Sequence, residues 1–138
     1  MILLDTNVLS ELMRRESDGL VQRWVNQQPR ASVWTTTVTE MEIRYGIELL
    51  ATGHRREELK EAFERVVRDL MENRVAVFDS AAARAAGQLM AERKRRGRAM
   101  EIRDTMIAGI AVASNATVAT RNVAHFADLN VRVVDPWG

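Results

Sequence analysis

The chain has 138 residues, no cysteine and a formal net charge of +1, from 20 Lys and Arg against 19 Asp and Glu. That length suits one domain able to bury roughly two thirds of its unfolded surface. The missing cysteines exclude disulfides, thiolate nucleophiles and cysteine-bound zinc, and they fit a reducing compartment, by default the cytoplasm.

The opening MILLDTN reads as a short buried strand over 2–4 that runs into Asp5, Thr6 and Asn7 before a helical pattern resumes at Val8. Four apolar residues ending in an acid make neither a signal-peptide core nor a membrane span, and no later stretch approaches about 20 apolar residues. A second strand is expected over 32–35 (SVWT), then a helix from Thr37 to Leu50. Gly53 and His54 read as a turn into a helix over Glu57–Met71, whose stripe is Leu59, Phe63, Val66 and Leu70. After a third strand over 75–78 (VAVF), Asp79 reads as the N-cap of the helix SAAARAAGQLMAERKRR. The basic turn ERKRRGR (92–98) leads into the helix IRDTMIAGIAVASNA, and TVAT (117–120) and VRVV (131–134) are the last two strands. Strands alternating with helices predict a single domain over 1–138, a three-layer α/β/α sandwich on a mainly parallel sheet of about five strands.

In such a sheet, sites form beyond the carboxyl ends of the strands. Asp5 follows the first strand directly, and Glu42 lies in the first turns of the helix after the second. Asp104 opens a helix that must deliver the chain to the start of the fourth strand, so its own start lies at the carboxyl edge. Three sequence-distant acids are therefore expected at one edge.

Two of them also interrupt apolar stripes. Asp104 shares a helix face with Met100, Ile107 and Ala111, and Glu42 shares one with Val38, Tyr45 and Leu49, beside Gly46. Two carboxylates about 5 Å apart repel by roughly 3 kcal/mol at an effective dielectric near 20. Such a cluster must protonate or hold a cation. Structural roles compete: Asp5 can cap its helix, Asp104 can favour its helix dipole, and Thr39 with Glu42 fits a capping box, as does Thr37 with Glu40, which would leave Glu42 free. Oxygen donors favour Mg²⁺ or Mn²⁺ over Zn²⁺. His54 and His125 lack metal-ligand spacing and read as surface or turn residues, and Trp24, Trp34 and Trp137 read as packing residues.

These segments resemble the PIN-domain family, in particular the VapC-type toxins of bacterial toxin–antitoxin pairs. MILLDTNVLSE is similar to the family's opening strand and first acid, TVTEMEIRYG to its glutamate-arginine-glycine helix, IRDTMIAGIA to its third acid, and VATRNVAHF with VDPWG to its closing segment. The resemblance implies a ribonuclease in which Asp5 and Asp104 hold Mg²⁺ or Mn²⁺, with Glu42 a ligand through water or the group that orients the nucleophile. It further implies cleavage to a 5′-phosphate and a 3′-hydroxyl. Thr6 and Thr120 are the hydroxyls nearest the expected site. Asn122 stands where many members carry a fourth acid, which weakens the case for a second metal, and Asp128 reads as a loop or capping residue.

Arginine supplies all the cations except Lys60 and Lys94, and its planar fork suits phosphate. Arg44, Arg95, Arg96, Arg98 and Arg121 are the candidates for RNA backbone contact. The resemblance implies a VapB-like antitoxin that sets an arginine among the carboxylates, a homodimer, and DNA binding only through the antitoxin. The paired helices from Thr37 to Met71, with Met41, Ile47, Leu50 and Met71, are the expected groove or dimer surface. One alternative is a catalytically weak subunit that serves mainly to bind the antitoxin in a repressor complex. A phosphoryl-accepting receiver or phosphatase-like domain is the other, but position 7 is asparagine rather than the second acid a phosphatase-type site would want.

Overall fold

The computed structural model describes residues 1–99 and 101–138, so Met100, the expected first member of the Asp104 stripe, lies outside the described residues. Strand β1 (Ile2–Leu4) is central, with β2 (Val33–Thr36) and then β3 (Val75–Ala76) to one side, and β4 (Thr117–Ala119) and then β5 (Arg132–Val134) to the other. Every pairing is parallel, and Leu3 stands opposite both Trp34 and Val118. Successive strand residues face opposite sides. Leu3 and Val118 therefore pack on Ala82, Leu89, Ile107 and Ile110 of helices α5 (Ser80–Arg95) and α6 (Ile102–Ser114). Leu4, Val33 and Ala119 pack on the other side against α1 (Thr6–Met13), α2 (Leu20–Asn26), α3 (Thr37–Glu48) and α4 (His54–Arg65). The result is the three-layer α/β/α sandwich, with its sheet parallel throughout. No helix among the described residues is long and apolar enough to cross a membrane.

Several elements depart from the sequence expectation. Helix α2 was not foreseen: its seven residues are two turns, too few for periodicity to stand out, although Val21 and Val25 bury one face. His54 begins α4 rather than completing a turn, and the helix passes into a π turn over Val66–Leu70 instead of running regularly to Met71. On α3 the buried positions are Val38, Thr39, Ile43 and Ile47, so Tyr45 and Leu49 do not line the core as the Glu42 stripe predicted. Neither capping box forms. The cap is Thr36, whose Oγ1 accepts the Thr39 N–H at 3.0 Å. Ile47 and Met71, expected at a groove or dimer surface, are core residues. Trp24, Trp34 and Trp137 pack against the two cores, as expected.

Helices α5 and α6 approach closely because their contact is built from small residues. A Cβ added at Gly109 would lie 2.7 Å from the Ala82 carbonyl oxygen and 2.9 Å from the Ala86 nitrogen, both backbone atoms. Gly109→Ala gains about 1 kcal/mol of helix propensity, but overpacking of this kind costs about 1–3 kcal/mol, and fixed backbone puts the cost at the upper end. The expected outcome is a net loss of stability in urea unfolding, with an unchanged m-value.

Candidate active site

The sheet order reverses between β1 and β4: from β1 the chain builds outward through β2 and β3, and then returns to the other side. That reversal opens a crevice at the carboxyl ends of the two strands. Asp5 and Thr120 are the residues that follow them. The Asp5 N–H still donates to the Ala119 carbonyl at 3.0 Å, and the Thr120 N–H donates to that of Val134, so both side chains are set by the sheet.

Asp5 is 5 % exposed. Its Oδ1 accepts the Thr6 N–H at 2.7 Å as the N-cap of α1, and its Oδ2 accepts the Thr120 hydroxyl at 2.8 Å. One carboxylate thus both caps α1 and bonds the end of β4. Thr120 Oγ1 also accepts the Asn122 N–H at 3.0 Å, while Asn7 Oδ1 accepts the Arg121 N–H at 3.0 Å, which ties the end of β4 to α1. The Thr6 hydroxyl turns the other way and donates to Glu42 Oε1 at 2.8 Å. Glu42 Oε2 accepts Arg103 Nη1 at 2.9 Å. Asp104, the next residue, accepts from His125 Nδ1 at 2.9 Å through its Oδ2.

The three acids are therefore gathered at one edge but not equivalently. Asp104 has its pKa raised, first by burial and then by the negative charge of Asp5, and the His125 hydrogen bond only partly opposes this. Asp104 feels the charge of Asp5, whereas Glu42 is hydrogen-bonded at both oxygens, by Thr6 and by Arg103. Among the described residues no three His, Asp or Glu side chains close around a point where a metal ion could sit. Asp5 and Asp104 carry carboxylate oxygens, the donor type a hard divalent cation takes. Negative charge at Asp104, only partly relieved by His125, is what a cation would satisfy.

The cations divide. Arg44 pairs with Glu40 at 3.2 Å and lies 5.1 Å over the Phe63 ring, and Arg96 donates to the Asp128 carbonyl at 2.6 Å. Arg95 and Arg98 are exposed, and Arg121, also exposed, stacks 4.7 Å over the Trp137 ring. His54, on the surface at the start of α4, pairs with Glu58 one turn on.

Three contributors were missed. His125 sits in the 3₁₀ turn Val123–Phe126, and three residues per turn set it over Asn122, a spacing that could have exposed it. Arg93, read within the basic turn 92–98, is buried: it pairs with Asp128 at 3.1 Å, donates to Thr105 Oγ1 at 3.2 Å and contacts the His125 carbonyl. Its signal was present, because the buried stripe Ala82, Ala86, Leu89 lands next on position 93. Arg103 carried none beyond its place beside Asp104.

The PIN-domain family model matches residues 2–130. The chain is 39% identical over 137 residues to the plasmid stability protein StbB of Pseudomonas syringae pv. tomato, covering 99% of each. It is 35% identical to the VapC ribonuclease Y4jK of Sinorhizobium fredii over 99% of this chain and 98% of that one. Among solved structures it superposes on FitAB bound to a DNA fragment with a TM-score of 0.88 and 33% identity, over 100% of this chain and 96% of that one.

Proposed function

The chain belongs to the PIN-domain family, and from that premise we propose that it is a divalent-metal-dependent endoribonuclease of the VapC toxin type, a single domain over 1–138, neutralised by a VapB-like antitoxin. The observation that carries this reading is the meeting of Asp5, at the end of β1, with Asp104, in the first turn of α6, close enough for the charge of Asp5 to act on the Asp104 carboxyl. A relative named as a ribonuclease, aligned over nearly the whole chain, supports the substrate class.

Asp5 and Asp104 would hold Mg²⁺ or Mn²⁺ directly and Glu42 through water. Bound there, the ion supplies Lewis acidity toward the phosphodiester and a lowered pKa for water. Thr120 fixes the direction of Asp5, and Thr6 fixes that of Glu42. Glu42 orients the attacking water and takes one of its protons. The water oxygen bonds to phosphorus, the P–O3′ bond breaks, and O3′ gains a proton from solvent, leaving a 5′-phosphate and a 3′-hydroxyl. Asn122 contributes a neutral amide, which suits one metal better than two. The exposed Arg95, Arg98 and Arg121 are assigned to RNA backbone phosphates, while Arg44 and Arg96, already engaged, are weaker candidates.

An antitoxin arginine placed between Asp5 and Asp104 would replace the cation's charge. Met41 and Tyr45 of α3 and its C-cap Leu49 recur every four residues and are 53, 63 and 67 % exposed, which supports a homodimer through that face. DNA would be reached through the antitoxin, and the cysteine-free composition supports a cytoplasmic site of action.

The test is to express the chain without a partner, offer total RNA with Mg²⁺ or Mn²⁺, and sequence the new 5′ ends, with Asp5→Ala as control. Metal-dependent ends that are absent from the control are expected; wild type as inert as Asp5→Ala would overturn the reading. Asn122 favours one alternative, a catalytically weak subunit whose role is antitoxin binding in a repressor. Inert wild-type protein that still sharpens operator binding by its antitoxin would establish it.

A further inference from the structure

We propose that Arg103 is a positioning residue for the cleavage, fixing the carboxylate of Glu42 so that it presents one orientation to the attacking water. The inference rests on the nuclease reading and adds a residue to its machinery. Glu42 is gripped at both oxygens from two different elements: Oε1 accepts Thr6 Oγ1 of α1 at 2.8 Å and Oε2 accepts Arg103 Nη1 of α6 at 2.9 Å. Glutamate has three rotatable side-chain bonds, and one hydrogen bond at one oxygen leaves the carboxylate plane free to turn. Two grips, one at each oxygen, define that plane, while each oxygen keeps a further lone pair for water.

Arg103 is well placed for this because it precedes Asp104 in the first turn of α6. A displacement of the α6 terminus moves Asp104 and the grip on Glu42 together, so the two walls of the crevice keep their relation. The guanidinium is steadied in turn by Glu101, whose Oε1 lies 3.6 Å from its Nε. The Arg103 side chain is half exposed, and ion pairs of that exposure add little to folding stability. A change in turnover can therefore be separated from a change in fold.

The test compares wild type with Arg103→Gln, Arg103→Lys and Thr6→Val, each alone and with Glu42→Gln. Arg103→Gln is expected to lower kcat about 10- to 100-fold, the scale of losing a group that orients a reacting one, with KM changed less than twofold. Arg103→Lys restores the charge but not the fork and recovers part of the loss. Thr6→Val loses activity in the same way, and in the Glu42→Gln background none of these changes has a further effect. Binding of uncut RNA to Asp104→Asn protein, read by fluorescence anisotropy, is unaltered by adding Arg103→Gln.

A raised KM, weaker RNA binding and a salt slope reduced by about one would instead make Arg103 a phosphate contact and overturn the proposal. So would an undiminished effect in the Glu42→Gln background, or a variant as active as wild type. If Arg103→Gln fails to fold, the lysine variant carries the same comparison. Wild-type protein that leaves RNA intact sinks the nuclease reading itself, whereas active wild type with equally active Arg103→Gln sinks only this inference.

Discussion

Asp104→Asn is expected to abolish RNA cleavage and at the same time to raise the melting temperature of the metal-free protein. Loss of a carboxylate proposed to hold the metal should lower turnover by about three orders of magnitude, roughly 4 kcal/mol of barrier at 1.36 kcal/mol per tenfold. The gain in stability follows from the sign of the pKa shift. Burial and the charge of Asp5 raise the Asp104 carboxyl in the folded state, against the opposing His125 hydrogen bond and with a small further push from Glu101. A carboxyl raised on folding is protonated more readily there than in the unfolded chain. Its favourable contribution is complete below the ordinary carboxyl range and is lost as pH climbs through the folded value. At neutral pH the ionised group therefore costs stability, and asparagine removes the charge while keeping an oxygen for His125. The difference between variant and wild type should shrink as pH falls into the carboxyl range. Adding Mn²⁺ reverses the order: a ligand at 100 times its Kd stabilises the fold by about 2.7 kcal/mol, and only wild type retains the pair of carboxylates to receive it. Calorimetry on both proteins with and without Mn²⁺ checks all four cases; a metal-free variant that melts below wild type would contradict the electrostatic account.

The parts of the fold that could be read from the chain were those whose signal is local. Asp5 is polar at the end of an apolar run, so both its strand and its edge were legible, and alternation of strands with helices was enough to imply a parallel sheet. The order β3-β2-β1-β4-β5 carries that edge acid to the point of reversal. Glu42 was placed by its position in the first turns of the helix after β2, but the apolar stripe it was expected to interrupt is not there: of its companions only Val38 is buried, while Tyr45 and Leu49 face outward. A helix of twelve residues admits more than one apolar stripe, and neighbouring helices decide which is used. What could not be read were partners brought together by folding. Arg103 meets Glu42 across 61 residues, His125 meets Asp104 across 21, and Arg93 meets Asp128 across 35. Nothing in a charged side chain's own neighbourhood says which opposite charge will stand before it.

Arg93→Met is expected to cost about 3–5 kcal/mol of stability, the range for removing one member of a buried pair. The arginine is 4 % exposed, and every nitrogen of its fork is engaged: Nε and Nη2 donate to the two Asp128 oxygens at 3.1 Å each, and Nη1 donates to Thr105 at 3.2 Å. Methionine fills the aliphatic part of that space but leaves Asp128 ionised and largely enclosed, with no counter-charge at its oxygens. Burial pushes the Asp128 carboxyl up, while the hydrogen bonds and charge of Arg93, helped by Arg98, hold it below its ordinary value. A carboxyl lowered on folding stabilises above its unfolded pKa and loses that contribution as pH falls through the folded one. Wild type should therefore lose stability on acidification at this site, and Arg93→Met should lose less. The double variant Arg93→Met with Asp128→Leu is expected to recover most of the deficit, because replacing both charges removes the orphan. The consequence for the site is specific: Arg93 joins α5 to Thr105, one residue beyond Asp104, and to the turn that carries His125. The double variant should therefore fold yet cleave RNA more slowly than wild type. Urea unfolding of the three proteins, followed by turnover of the folded ones, decides the matter; a single variant as stable as wild type would mean that Asp128 finds water instead.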